Sequence, residues 1–126
     1  MPLPRVLFVV PGILAGIFVP ALVVNTPKPT PPNTVGMTFM DFSGPDTVYL
    51  HRGQYLTFLD SSLNIHEIGP GTNGHVTTPV RGEPLTGDHL MQTNTVYKTG
   101  PWLTPGKFYV TCAVHPTMNL TVVVLP

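Results

Sequence analysis

The clearest alternation of apolar and polar positions lies in the second half of the chain. KFYVTC (107–112) and NLTVVVL (119–125) read as two strands joined by a tight loop. Further upstream, QYLTFLD (54–60) sets Tyr55, Thr57 and Leu59 against Leu56 and Phe58, the period of two expected of a half-buried strand. VGMTFMDF (35–42), TVYL (47–50) and LNIHEI (63–68) are further short β-like runs, and each stops at turn residues such as Ser43-Gly44-Pro45 or Gly69-Pro70-Gly71. From 69 to 106 glycine and proline dominate, and HLMQTNTVY (89–97) is the one stretch there with a visible pattern. No segment carries a helical moment. Many short strands separated by Gly/Pro turns predict an all-β sandwich or barrel.

The N-terminus has a different pattern. Val6–Val24, VLFVVPGILAGIFVPALVV, is nineteen residues without a charge, and Arg5 precedes it. That length spans a bilayer core, so residues 1–24 are expected to be a signal-anchor segment, an apolar helix outside the folded domain. A cleaved signal is the second reading, although no clean small-x-small cleavage site is present. A buried element of the domain is the third. NTPKPTPPNT (25–34), with four prolines, reads as an extended spacer, which leaves 35–126 as a single domain. Arg5 favours an inside N-terminus, and the domain is then extracytoplasmic, or secreted or periplasmic if the segment is cleaved.

Charge and composition narrow the function. Six Lys plus Arg balance six Asp plus Glu, and charged residues are 10% of the 126, which argues against an electrostatic grip on nucleic acid. A single cysteine excludes an internal disulfide. GPGTNG (69–74) matches G-x-G-x-x-G, but HVTTPVRGEP follows and starts no helix, so it reads as a turn cluster and not a phosphate cradle. Ser43, Ser61 and Ser62 lack the context of a nucleophile, and the carboxylates are scattered without an acid/base pair.

One stretch stands apart. CAVHPTM (112–118) places Cys112, His115 and Met118 at intervals of three. A thiolate, an imidazole and a thioether are soft or borderline ligands, and the mixture favours copper over zinc. A mononuclear electron-transfer copper needs a second histidine. His66, where LNIHEI opens into a loop, is the best candidate. His51, His75 and His89 are expected at the surface, the alternative for each being a replacement for His66 or a secondary copper contact. Taken singly, Cys112 and Met118 would be ordinary core residues and His66 a surface or core histidine; the joint pattern is what points to metal.

This segment resembles the copper loop of the cupredoxins, the small blue copper proteins, in the short amicyanin-like form C-x-x-H-x-x-M with Pro116 after the histidine. PGKFYVTC is similar to that family's approach strand to its cysteine, and VYLHRGQYLTFLDSSLNIHEI to its upstream strands, with Gly53 at the turn, Phe58 as the buried aromatic and Asp60-Ser61 as a polar pair. The likeness covers about residues 35–125. It implies a Greek-key β-sandwich with one type 1 copper, held by His66, Cys112 and His115 with Met118 axial. It also implies transfer of single electrons between redox partner proteins and no enzymatic activity of the chain's own. An extracytoplasmic copper-delivery protein is the alternative. Where the family commonly has Asn after the first histidine, to support the thiolate, this chain has Glu67.

Overall fold

The computed structural model describes residues 33–85 and 87–126. The expected N-terminal apolar helix and most of the Pro-rich spacer lie outside the described residues. The described residues form nine strands in chain order: β1 Thr34–Met37, β2 Thr47–His51, β3 Thr57–Asp60, β4 His66–Thr72, β5 His75–Val76, β6 His89–Met91, β7 Val96–Lys98, β8 Gly106–Cys112 and β9 Asn119–Leu125. They form one sheet in the order β1-β3-β7 and a second in the order β2-β9-β8-β4-β5, with β6 also on β4. β1 and β3 pair in parallel, as do β2 and β9, while the other pairings are antiparallel. The parallel pairs join strands that are not hairpin neighbours, and this crossing gives the sandwich its Greek-key character.

Alternation explains the core. Leu120, Val122 and Val124 of β9 are buried, and their neighbours are not. Phe108, Val110 and Cys112 of β8 lie inward beside them. Val35 and Met37 of β1, Phe58 of β3 and Ile68 of β4 join the same cluster, so a single apolar core draws on both sheets. Trp102 and Phe108 meet edge-on with centroids 5.3 Å apart, and they belong to this core as well.

Several elements differ from the sequence expectation. The run 35–42 is not one strand: β1 stops at Met37, and the chain turns back so that Phe42 bridges to Met37. Gly69-Pro70-Gly71 is not a turn but the body of β4, which starts at His66 and pairs Ile68, Gly69 and Pro70 with Cys112, Thr111 and Val110. Pro70 has no N–H to give the ladder, but its carbonyl accepts Thr77 N–H at 2.7 Å. The true turn is Asn73-Gly74, both with positive φ (52° and 82°), a pair suited to a tight β4–β5 hairpin. The stretch 89–97 is two strands, β6 and β7, divided at Asn94 with φ 69°.

Candidate metal centre

The β8–β9 connection is a short hairpin loop at one end of the larger sheet. Cys112 N–H donates to Met118 O (3.3 Å), and Met118 N–H donates to His115 O (2.9 Å), so the seven residues close on themselves. Two flanking side chains, Thr111 and Asn119, brace the loop. Thr111 Oγ1 donates to Met118 O at 3.1 Å while accepting Gly74 N–H at 2.9 Å. Asn119 Nδ2 donates to Pro116 O at 3.2 Å, and its Oδ1 accepts Asn73 N–H at 2.8 Å. Gly74 lies directly beneath Pro116: a Cβ there would stand 3.0 Å from the proline ring, so the hairpin turn packs as a floor under the loop.

Strand register carries the second histidine to the same end. Ile68 pairs with Cys112, so His66, two residues earlier in β4, lies just beyond the end of β8. His66, Cys112 and His115 converge there, with one ligand-type atom from each lying within 4.8 Å of the others. Cys112 Sγ is 4.0 Å from His66 Nδ1 and 3.7 Å from His115 Nδ1, and the two rings are 5.0 Å apart between centroids. His66 and Cys112 are fully buried, whereas His115 is half-buried. Met118, at the far end of the loop, is also fully buried.

The surrounding hydrogen bonds decide which nitrogen of His66 is free. Its Nε2 lies 3.0 Å from Thr38 O, an atom that can only accept, so Nε2 carries the proton and Nδ1 presents its lone pair toward the sulfur. Burial lowers the pKa of His66; Asp60 and the bond to Thr38 O oppose that, and His115 adds to it. The net effect keeps the ring neutral and ready to ligate. Cys112 Sγ accepts Glu67 N–H at 3.3 Å. The residue after the first histidine therefore supports the sulfur through its backbone, and its identity as Glu rather than Asn leaves that bond intact.

Two nearby groups were not legible in the sequence. Asn64 Nδ2 donates to Phe39 O (2.7 Å) and stands 3.1 Å from His115 Nε2, linking the β1–β2 segment to the β8–β9 loop. Ser62 Oγ lies 3.3 Å from His66 Nε2 and 2.6 Å from Asp60 Oδ1. Their side-chain types are common in turns, and only the folded loop aims them at the histidines. Of the other histidines, His51 and His75 are exposed as expected. His89 is not a plain surface residue: its ring stacks on Tyr97 at 3.7 Å, and its Nε2 is buried without a hydrogen-bond partner among the described residues. None of the three joins the cluster around Cys112.

No protein-family profile and no curated protein sequence matches the chain. Solved structures match its shape. A reduced amicyanin variant superposes with a TM-score of 0.59 at 20% identity, over 73% of this chain and 80% of that one. The reduced Cu(I) form of another amicyanin variant gives 0.60 at 18% identity, over 81% and 88%. A purple cupredoxin from Nitrosopumilus maritimus gives 0.58 at 17% identity, over 73% and 98%. The described residues thus have the cupredoxin fold, and the His66–Cys112–His115 cluster fits a type 1 copper site.

Proposed function

We propose that the chain is an electron-transfer protein that carries single electrons on one mononuclear type 1 copper, held by His66, Cys112 and His115 with Met118 as axial ligand. The observation that carries this reading is the convergence of one buried thiol and two Nδ1 atoms at 4.0 and 3.7 Å from it, at the mouth of a braced loop. Such a donor set is a compromise between the preferences of Cu(I) and Cu(II), so the bound metal supplies reversible one-electron chemistry with little rearrangement. The residues contribute a rigid frame: the Thr38 carbonyl orients His66, Glu67 N–H steadies the sulfur, and Asn73-Gly74 supports the loop. Amicyanin structures matching this fold include oxidised and Cu(I) forms, which supports a redox copper in a frame of this kind.

The partners are other redox proteins. Phe39, Leu63, Ile65 and Val114 are exposed: the first three adjoin or bond Asn64, which stands 3.1 Å from His115, and Val114 precedes His115 in sequence. They offer an uncharged face suited to brief docking and fast release. The metal does the redox work, so the chain acts as a carrier and not as an enzyme. The uncharged run 6–24 supports an extracytoplasmic, membrane-tethered location.

The test is copper loading followed by repeated reduction and reoxidation with a copper count. Retention of one copper with a recurring visible band is expected. Loss of copper on each reduction would instead identify a copper-delivery protein, and failure to form any coloured Cu(II) species would reject the site.

A further inference from the structure

Asp60 is fully buried at the end of β3, and its Oδ2 has no hydrogen-bond partner among the described residues. A buried carboxylate without compensation is costly, so its presence beside a functional cluster calls for a physical reason. Its Oδ1 accepts Ser62 N–H at 2.9 Å and Ser62 Oγ–H at 2.6 Å. The hydroxyl contact is short, within the range of hydrogen bonds to a carboxylate.

The direction of each bond then follows. The single hydroxyl proton of Ser62 is committed to Asp60. Its oxygen is left to accept, and it takes Asn64 N–H at 3.1 Å. The same oxygen lies 3.3 Å from His66 Nε2, whose proton is shared with Thr38 O at 3.0 Å. A chain of two hydrogen bonds therefore runs from His66 Nε2–H through Ser62 to the Asp60 carboxylate. In metal sites a carboxylate commonly bonds the outer nitrogen of a ligating histidine directly. Here a serine is interposed.

We infer that Asp60 is a positioning residue that acts through Ser62 on His66, supplying a buried negative charge that favours the more positive oxidation state of the metal centre. The inference rests on the copper reading above. A cation at the cluster would in turn offset the burial of Asp60, so carboxylate and site stabilise each other.

The test compares the copper-loaded full chain with Asp60→Asn and Ser62→Ala by spectroelectrochemical titration. Asp60→Asn retains an acceptor for Ser62 and removes the charge. It should shift the Cu(II)/Cu(I) preference toward Cu(I) by at least about tenfold, the lower bound for a unit charge within roughly 10 Å of the metal at an effective dielectric near 20. That corresponds to a potential higher by at least ~59 mV for one electron. Ser62→Ala keeps the charge but cuts the link, and should shift the potential the same way by less. In the Cu(I) protein the His66 Nε2–H resonance should move in both variants, a change that loss of packing elsewhere would not produce. An Asp60→Asn potential indistinguishable from wild type overturns the inference. If that variant does not fold, Ser62→Ala decides alone, with a rise supporting the link and an unchanged potential overturning it. A wild-type chain that forms no coloured Cu(II) species would overturn the copper reading itself, and that is known before any variant is compared.

Discussion

Glu67 is tied to the β8–β9 loop through both its backbone groups: its N–H donates to Cys112 Sγ at 3.3 Å, and its carbonyl accepts Ala113 N–H at 2.8 Å. The thiol is thus fixed relative to β4, the strand that begins with His66. One ladder between β4 and β8 sets the spacing of two candidate ligands, and the loop sets the third.

Cys112→Ser tests the centre directly. The hydroxyl is close in shape and can still accept Glu67 N–H, so the fold should persist at a cost of about 1–3 kcal/mol for a buried hydroxyl. The intense sulfur-to-Cu(II) band should vanish. Absorption spectroscopy after copper addition, with circular dichroism to check folding, gives the answer; a band that survives would remove Cys112 from the site.

What could be read in the sequence depended on how local the signal was. Cys112, His115 and Met118 fall in one loop of seven residues, so their chemistry was visible without a fold. β9 coincides with its predicted run because Leu120, Val122 and Val124 alternate cleanly into the core. β5, β6 and β7 have two or three residues each, too few for a period to show. Gly69-Pro70-Gly71 misled because its composition is that of a turn, yet pairing with β8 holds it extended. Asp60, Ser62 and Asn64 took on their roles only once the loop before β4 brought them to His66 and His115. The sequence alone points His89 to the surface because its stacking on Tyr97 depends on β6 and β7, which meet only in the fold.

Thr99 is a polar hub in the core. Its Oγ1 accepts Trp102 Nε1–H at 2.9 Å and Leu56 N–H at 3.2 Å, and donates to Gly100 O at 2.7 Å. Thr99→Val keeps the volume but strands two buried donors, each worth about 1–3 kcal/mol, so a loss of at least ~2 kcal/mol is expected. Thr99→Ser keeps the hydroxyl and should lose about 0.8 kcal/mol for the missing methyl group. Urea unfolding of the two variants should separate these values.

Glu83 should make stability depend on pH. It is 8% exposed; Oε1 accepts Val80 N–H at 3.1 Å, while Oε2 is buried without a partner among the described residues. Burial raises its pKa above the ordinary 4.5, and the Val80 bond only partly opposes this. The folded chain therefore holds the proton more tightly than the unfolded chain. The resulting stability is complete below the unfolded value and is lost as pH rises through the folded one. Glu83→Gln keeps the acceptor without the charge, so its melting temperature should exceed that of wild type near pH 7, and the gain should disappear near pH 4. Equal gains at both pH values would show that the charge is not responsible.

The N-terminal run makes its own prediction. The full chain should partition with membranes, and a chain starting near Val35 should be soluble and still bind copper. Recovery of uncleaved full-length protein in the soluble fraction would count against a tether.

Met118 separates an axial ligand from a core residue. Its main chain is held independently of its side chain: its N–H donates to His115 O at 2.9 Å, and its carbonyl accepts Cys112 N–H at 3.3 Å and Thr111 Oγ1–H at 3.1 Å. Substitution should therefore leave the loop in place, and Met118→Leu, which conserves volume in this fully buried position, should cost less than about 1.5 kcal/mol. Losing a weak sulfur donor disfavours Cu(II) more than Cu(I), so the reduction potential should rise, by about tenfold in relative affinity or ~59 mV. Met118→Gln supplies an oxygen donor that prefers Cu(II) and should lower the potential. Redox titration of the two variants beside their unfolding curves distinguishes the roles. Opposite shifts in potential at similar stability are the mark of a ligand, whereas unchanged potentials with altered stability would make Met118 a core residue alone.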